Sequence, residues 1–567
     1  MKAVDLDGPQ NPRRASRDSR PGSAEVIAHQ WLQGRKKGLL SSFAVGTIDQ
    51  VLFAGLKSRH LALRHLALAG KVVIIDEVHA YDAYMNVYLE RVLSWLGAYR
   101  VPVIMLSATL PVGIRRSLAE AYGSGGGHQE LIAEPQDPTA YPLLTATAPG
   151  RDPISEFPSA ATDRGVSITV EPLDDDLTQL CEALDDALSG GGCALVVRNT
   201  VDRVLEAAER LRDRFGTDKV TVAHSRFMDL DRAALDAKLV RRFGPDGDRP
   251  AGPHIVVASQ VAEQSLDVDF DILVTDLCPV DLMLQRMGRL HRHQRGPGQS
   301  DRPAGVRQPR CLVTGVSDWH TSPPEPCSGS ERVYGLHTLL RSLAVLQPHL
   351  APSAAPLRLP QDISGLVQSA YGDEPVGPDA WSEAMAAADV QHRTHLAEQR
   401  KRAEVYRLDK VRKPGRPLIG WIDAGVGDAD DSRAGRAQVR DSEESLEVLV
   451  VQRRADGSLT TVPWLDRGRG GLVLPTDAVP PYLAAKALAA SSMRLPYHFS
   501  KPWVLDRAIA ELEELLIPAW QNKECPWLAG ELLLELDEDC QTHLAGYELE
   551  YSRTEGLKVT RPGAPAK

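Results

Sequence analysis

A short, uninterrupted apolar run followed by two carboxylates constrains this chain most. Residues 72–75 are all valine or isoleucine. Such a run without polar alternation predicts a parallel strand buried on both faces. Asp76 and Glu77 follow it directly, and adjacent carboxylates at the end of a buried strand are costly unless an ion or a reaction uses them. In nucleoside triphosphatases the first such carboxylate holds magnesium and the second polarises the attacking water. For the pair alone, a solvated acidic turn is the alternative.

Two further strand ends add polar groups to the same half of the chain. Residues 101–106 predict a second apolar strand, which ends in Ser107, Ala108 and Thr109. Its hydroxyls would lie beside the two carboxylates and could relay a change at a nucleotide, although the tripeptide in isolation is a weak signal. Residues 43–50 predict a short strand that delivers Gly46 and Thr47, where a close backbone and a hydroxyl suit a phosphate.

A second series of strands and helices follows a boundary rich in Gly, Pro and Ser at residues 123–165. Strands are predicted at 193–197, 220–223, 255–258 and 272–275, and helices at 177–188, 201–215 and 229–243. Regular alternation of this kind predicts a second doubly wound parallel sheet. The third strand leads into Ser259 and Gln260, and Asp267 follows in the next connection.

A helix beginning near Asp281 is predicted to present basic side chains. Gln285 and Arg289 are four residues apart and would share one helical face, with Arg292 three residues further on. Guanidinium groups fork onto phosphate oxygens, and an arginine finger contributes about three to five orders of magnitude to phosphoryl transfer. The alternative is a basic helix that pairs with surface acids.

Composition is that of an ordinary globular protein. The 567 residues suggest three or four domains, with 43% hydrophobic and 25% charged residues. No apolar run reaches membrane-spanning length, which predicts no membrane partner. The seven cysteines form no CxxC pair, which argues against a zinc ribbon or a disulfide framework and favours the cytoplasm. The net charge of −11 gives nucleic-acid binding no support by itself.

Taken together, these motifs resemble a superfamily 2 helicase. The order is Asp-Glu-Val-His from Asp76, Ser-Ala-Thr from Ser107, the segment from Ser259 to Asp267, and Gln-Arg-x-Gly-Arg-x-x-Arg from Gln285. The segments V-G-T-I-D-Q and Q-V-A-E-Q-S-L-D resemble the CRISPR-associated helicase–nuclease of type I systems, most closely the E subtype. The resemblance implies an α/β fold: two RecA-like parallel-sheet motor domains (the first incomplete), a linker helix and a small mixed C-terminal domain.

The resemblance also implies roles for these residues with ATP and Mg²⁺ as cofactors. Asp76 would hold the metal and Glu77 would activate water, while Asp267 would lie near the ribose. His79, Ser107 and Thr109 would couple hydrolysis to DNA movement. The γ-phosphate would be reached by Gln285, Arg289 and Arg292, and the backbone of single-stranded DNA would be touched by Gly46, Thr47, Ser259 and Gln260. The implied partner is a Cascade-type guide RNA–protein complex.

Two features of the implied family are not found in the sequence. It contains no phosphate-binding loop of the form G-x-x-x-x-G-K-[ST] and no His-Asp dipeptide of an HD nuclease. We therefore expect an N-terminally truncated member, or the second piece of a split enzyme that uses a separate N-terminal fragment. Nuclease activity is expected to be absent and ATP hydrolysis weak or nil. Residues 101–106 would then present an unpaired apolar edge, which predicts poor solubility without a companion.

Two alternatives stay open. The chain could be a non-catalytic remnant that binds DNA or Cascade without turnover, or, with less support, an unrelated superfamily 2 helicase. The predicted domains are a polar, disordered start at 1–24, a partial first RecA-like domain at 25–150, a second at 165–320, a helical linker at 330–410 and an accessory domain at 411–567.

Overall fold

The computed structural model describes residues 38–57, 61–78, 82–127, 140–148, 151–159, 165–263, 266–351, 353–411, 446–522 and 525–561. The predicted polar start at 1–24 lies outside these residues. The chain divides into two compact units. The first unit comprises Met1–Ala161 and Val390–Asp441, and the second comprises Thr162–Asp389 and Ser442–Lys567.

The first unit is built on two parallel strands and three longer helices. Its elements are α1 (Asp49–Leu52), α2 (Leu61–Ala69), β1 (Val73–Ile75), α3 (Ala83–Tyr99), β2 (Val103–Met105), α4 (Val112–Gly125), β3 (Leu144–Ala148) and β4 (Arg151–Glu156). Asp82 begins α3 because its carboxylate accepts a hydrogen bond from the Met85 amide at 2.8 Å. The aromatic stripe of α3, including Tyr84 and Tyr88, is core, as its helical spacing indicates.

Helices α3 and α4 cross with their backbones in close contact. A Cβ on Gly125 would collide with the Ser94 carbonyl, and a Cβ on Gly97 would collide with the Tyr122 carbonyl. Only glycine allows this approach, so both positions fix how the helices pack. The segment 123–165, which the sequence analysis identified as a boundary rich in Gly, Pro and Ser, contains the hairpin of β3 and β4.

The strand β1 is buried on one face, and the prediction of burial on both faces was wrong. Val73 and Ile75 face the core, whereas Val72 and Ile74 are exposed. Ile74 pairs in register with Ile104 of β2, which is also exposed. Ile74 and Ile104 are exposed because, within the described residues, helices cover only the other face of the β1–β2 sheet. In the same part of the chain, β2 pairs with β1 alone.

Residues 43–47 form no strand, so that prediction was also wrong. Phe43 is 94% exposed and Val45 is 90% exposed. Hydrogen bonding to a neighbouring strand is what holds a single extended segment in a sheet. This segment instead enters a turn in which the Gln50 amide donates to the Thr47 carbonyl at 3.1 Å, and α1 follows.

The second unit contains a seven-stranded sheet in the order β13-β5-β10-β9-β6-β8-β7. All neighbours are parallel except the edge pair β13 and β5. The elements are β5 (Val166–Pro172), α5 (Leu177–Ala187), β6 (Cys193–Val197), α6 (Val201–Phe215), β7 (Val220–Ala223), α7 (Asp229–Phe243), β8 (His254–Ala258), β9 (Ile272–Asp276), α8 (Val280–Met287) and β10 (Arg310–Thr314). The apolar strands β6, β8 and β9 are buried on both faces, as their composition predicts.

The following region completes the sheet and its helical cover. Its elements are β11 (Val316–Asp318), β12 (Glu325–Pro326), α9 (Ser328–Tyr334), α10 (Leu336–Leu350), β13 (Leu357–Leu359), α11 (Ile363–Tyr371) and α12 (Ser382–Tyr406). The predicted linker at 330–410 is thus divided: α10 and β13 belong to the core of the second unit. The end of α12 belongs to the first unit, where the Tyr88 hydroxyl donates to the Ala403 carbonyl at 3.1 Å.

The C-terminal region is a small mixed domain, as predicted. It contains β14 (Glu447–Arg453), β15 (Leu459–Thr460), β16 (Val473–Leu474), α13 (Tyr482–Ala489), β17 (Ser492–Arg494), α14 (Pro502–Glu513), β18 (Leu532–Leu536), β19 (Gln541–Leu544), β20 (Tyr547–Ser552) and β21 (Gly556–Thr560). Strands β14 and β15 form an antiparallel hairpin. The core of this domain includes Met228, which directly precedes α7.

Candidate functional site

The carboxyl edge of the β1–β2 sheet brings together four predicted site residues. The Leu106 amide donates to the Ile75 carbonyl at 2.9 Å, and the Val78 amide donates to the Leu106 carbonyl at 3.1 Å. These bonds place the segment after β1, with Asp76 and Glu77, beside the segment after β2, with Ser107 and Thr109. Both carboxylates are exposed at this edge. The predicted coupling residue His79 lies outside the described residues.

Glu77 has a left-handed backbone, with φ of 54°. A non-glycine residue in this region costs of order 1–3 kcal/mol and persists where the surroundings hold it, often at functional sites. Here the Glu77 amide donates to the Asp76 Oδ1 atom at 3.0 Å, which locks the turn. The backbone that carries the two carboxylates is therefore held in a defined turn. Composition and spacing gave no signal of this backbone conformation.

The Ser-Ala-Thr turn is ordered by its own hydroxyl. The Thr109 amide donates to Ser107 Oγ at 3.2 Å. Thr109 is buried, and its Oγ1 atom has no hydrogen-bond partner within the described residues. A buried hydroxyl without a partner carries a free-energy penalty. This turn would gain stability from any rearrangement that gives Thr109 an acceptor.

Gly46 and Thr47 lie in an exposed loop before α1. Their backbone and hydroxyl are open to solvent, as a phosphate contact requires. The loop reaches this position without the strand that the sequence predicted.

In the second unit, three predicted site residues come together: Asp267, in the connection after β8, and Arg289 and Arg292, in the segment after α8. Arg292 Nε donates to Asp267 Oδ1 at 2.6 Å, and this bond holds the pKa of Asp267 below its ordinary value. Arg289 donates to the carbonyls of Glu263 and Leu266, each at 2.8 Å. Glu263, Leu266 and Asp267 thus hold both guanidinium groups in place.

The prediction that Gln285 and Arg289 share a helical face was wrong. Helix α8 ends at Met287, and Gly288 caps it. Beyond it the Phe270 amide donates to the Arg289 carbonyl at 2.9 Å, and the His291 amide donates to the Phe270 carbonyl at 3.0 Å. Pairing with Phe270 pulls the backbone out of the helix. Gln285 therefore belongs to α8, whereas Arg289 and Arg292 belong to the turn segment after it.

Arg286 is a buried hub that sequence reasoning did not single out. It donates to Glu263 Oε1 at 2.8 and 2.6 Å and to Thr275 Oγ1 at 2.7 Å. It also donates to Asn199 Oδ1 at 2.9 Å and to the Tyr334 hydroxyl at 3.3 Å. The hub joins the ends of β6, β8 and β9 to the helix that precedes Arg289. Its place next to Gln285 in the Gln-Arg motif was the available signal.

Ser259 and Gln260 lie at the end of β8 and differ in accessibility. Ser259 is buried, so its side chain is not presented at the surface in this structure. Gln260 donates to the Asn199 carbonyl at 2.7 Å and to the Tyr334 hydroxyl at 3.3 Å. Through Tyr334, Gln260 is connected to Arg286 and so to the arginine segment.

Comparison with known proteins gives the same family for both ends of the second unit. The family described as "CRISPR-associated nuclease/helicase Cas3, C-terminal" matches residues 190–295, and "Cas3 C-terminal domain" matches residues 440–557. A CRISPR-associated nuclease/helicase Cas3 from Streptococcus thermophilus is 35% identical over 559 residues, covering 96% of this chain and 57% of that relative. The chain belongs to the Cas3 family. It spans little more than half the length of that relative.

Solved Cas3 structures agree with this fold. T. fusca Cas3 with AMPPNP has a TM-score of 0.74 and 30% identity, covering 94% of this chain and 58% of that one. A chain from a CRISPR RNA-guided surveillance complex in a pre-nicking state has a TM-score of 0.70 and 29% identity, covering 93% and 62%. The predicted α/β fold with RecA-like parallel sheets is confirmed. Within the described residues, no helix of this Cas3 chain is both long enough and apolar enough to cross a bilayer.

Proposed function

We propose that this chain is the ATP-dependent motor part of a Cas3 helicase that moves along single-stranded DNA during CRISPR interference. The observation that supports it most is the edge where Asp76 and Glu77 stand beside Ser107 and Thr109, with Glu77 fixed in a left-handed turn. Strand-end carboxylates next to hydroxyls suit a nucleotide whose hydrolysis changes the neighbouring turn. Arg289 and Arg292, held by Leu266 and Asp267, would supply cations for a phosphate.

The residues present fit a magnesium nucleotide. Asp76 has an exposed carboxylate on a strand end, and Mg²⁺ is commonly bound by one or two carboxylates together with waters and phosphate oxygens. A bound magnesium ion would neutralise phosphate charge. Asp76 would hold that ion, Glu77 would accept the proton of the attacking water, and Gln285, Arg289 and Arg292 would contact the γ-phosphate. Asp267, which positions Arg292, would lie near the ribose. T. fusca Cas3 with AMPPNP supports this assignment by similarity.

DNA would be held through its backbone. Gly46 and Thr47 in the first unit, and Gln260 in the second, would contact phosphates without reading sequence. His79, Ser107 and Thr109 would connect this contact to hydrolysis. Sequence choice would then come from a Cascade-type guide RNA complex, which the similarity to a chain of a surveillance complex supports.

A companion polypeptide forms part of the proposal. The sequence has no phosphate-binding loop, and the β1–β2 sheet has an exposed apolar face formed by Val72, Ile74, Ile104 and Leu106. Contiguous apolar surface of this kind marks an interaction site or an aggregation hazard. A polypeptide that supplies strands and a helical layer would cover the face and bring the loop. The second candidate function, a remnant that binds DNA or Cascade without turnover, applies where no companion exists.

Binding of fluorescent oligothymidylate to the chain, followed by anisotropy over a range of salt concentrations, tests the DNA part of this proposal. We expect binding that weakens with salt, because phosphate contacts release counterions. Thr47→Ala and Gln260→Ala should each weaken binding equally for all base sequences. Absence of binding at low salt, with the chain folded and monodisperse, would contradict the motor and the DNA-binding form of the second candidate.

A further inference from the structure

Two exposed aromatic side chains stand out on the C-terminal domain. Trp503 is 71% exposed and Tyr497 is 57% exposed. They lie at the two ends of a short segment that joins β17 to the first turn of α14. Residues 494–503 contain an arginine, a histidine and a lysine but no acid. Large aromatic groups kept in solvent beside a cation indicate a binding surface rather than core.

The segment is fixed next to the carboxyl end of β7. Phe499 is buried in one cluster with Met228, which follows β7 in the chain. His498 is close enough to Arg226 for that charge to lower its pKa, although burial is the larger cause. A Cβ on Gly556, the first residue of β21, would lie 2.5 Å from the Arg226 carbonyl, so the C-terminal domain also contacts the segment after β7 through its backbone. The aromatic pair therefore keeps a constant position relative to the sheet.

This position borders the edge where DNA contacts are proposed. Strand β7 pairs in parallel with β8, with Ala223 opposite Ala258, so their carboxyl ends are adjacent. Ser259 and Gln260 follow β8 directly. A strand of DNA held at the end of β8 would pass the end of β7 and reach the segment 494–503.

Lys501 is the cation of this segment that could contact a polyanion. Lys501 has no ion-pair partner within the part of the chain that the structure describes, whereas Arg226 is paired with Asp202 at 2.8 Å. Arg494 faces Glu447 across the β14–β17 pair, so the positive charge of Arg494 is partly offset by that carboxylate. Aromatic faces that stack on bases, with a lysine nearby for phosphate, are the usual means of binding single strands without sequence preference.

We propose that Trp503 and Tyr497 form a stacking platform for the bases of single-stranded DNA, with Lys501 contacting the adjacent phosphate. This platform rests on the proposed function and extends it to a site on the C-terminal domain. Trp503, the more exposed ring, would contribute most to affinity.

The test is anisotropy of oligothymidylate with the full chain and four variants. Trp503→Ala should weaken binding roughly 5- to 100-fold, the usual effect of removing one stacked aromatic, and Trp503→Phe should retain most of the affinity. Neither should change the salt dependence, whereas Lys501→Ala should reduce the slope of log K against log salt by about 0.7. Tyr482→Ala, which truncates an aromatic that is 45% exposed on α13, is the matched control and should leave binding unchanged.

The outcomes separate this inference from the proposed function. If the unmodified chain binds DNA and Trp503→Ala binds equally well, the platform is wrong while the DNA motor stands. If Trp503→Ala leaves DNA binding intact but reduces association with a guide RNA–protein complex, the surface serves a protein partner and the inference is overturned. Failure of the unmodified chain to bind DNA overturns both. A melting temperature unchanged in Trp503→Ala confirms that the variant is folded.

Discussion

Replacing Glu263 with leucine should destabilise the second unit strongly, because it leaves the buried guanidinium of Arg286 without its carboxylate partner. The guanidinium of Arg286 is fully buried and donates two hydrogen bonds to Glu263 Oε1, at 2.8 and 2.6 Å. Hydrogen bonds to charged groups contribute about 1.5–3 kcal/mol each, and breaking a buried ion pair from one side costs about 3–5 kcal/mol. Both routes predict a loss of about 4 kcal/mol in the free energy of unfolding.

Urea unfolding of the chain and its variants measures this loss. With an m value of about 3 kcal/mol per molar, the midpoint should fall by more than about 1 M. The urea midpoint of Glu263→Gln should lie between those of the unmodified chain and Glu263→Leu, because the amide oxygen still accepts a hydrogen bond. The double variant Glu263→Leu with Arg286→Met should recover most of the loss, since replacing both charges by apolar groups is often nearly neutral. A loss below about 1 kcal/mol in Glu263→Leu would refute the reasoning.

Three further predictions concern stability. Gly125→Ala should cost the first unit about 2 kcal/mol or more by calorimetry, because its Cβ meets the Ser94 carbonyl. Lowering the pH from 7 to 5 should cost the same unit about 2 kcal/mol, because burial lowers the pKa of His65 from 6.5 to about 4; this stability is complete above pH 6.5 and is lost as the pH falls toward 4. Tyr551→Phe should cost about 1–2 kcal/mol in urea unfolding, because the hydroxyl donates to buried Asp231 at 2.6 Å.

Each of these has a control in the chain. Gly113→Ala lies on the same helix with nothing within 4 Å of the added Cβ and should be neutral or stabilising, so equal losses at both glycines would contradict the packing argument. His65→Gln should remove most of the loss between pH 7 and 5. Tyr547→Phe, on the same strand as Tyr551, should change stability by less than about 0.5 kcal/mol.

The sequence predicted the elements whose signals are local. Strands β6, β8 and β9 are apolar runs between polar helices, and all three are buried on both faces. The helices α5 to α7 have capping residues or periodic apolar faces that mark their position, such as Thr200 before α6. The order of the strand-end motifs was enough to indicate the family before the fold was known.

The remainder depends on contacts between distant residues. The end of α8 is set by pairing of Arg289 and His291 with Phe270, which no helical periodicity reveals. The exposed face of β1 depends on which elements cover it, and the apolar composition of Val72 and Ile74 is the same either way. The buried role of Arg286 follows from groups on three strand ends and one helix. Local pattern cannot encode such convergence.

A measurement of ATP hydrolysis stimulated by single-stranded DNA, with Glu77→Gln as the control, decides whether this chain is part of a motor. It should be made on the chain alone and on a complex with a polypeptide that contains the phosphate-binding loop. The account predicts that the chain alone hydrolyses no more ATP than Glu77→Gln, and that the complex shows DNA-dependent hydrolysis which Glu77→Gln abolishes. Hydrolysis by the chain alone above the Glu77→Gln control would contradict the need for that loop, and a stable complex no more active than its Glu77→Gln form would contradict the proposed motor.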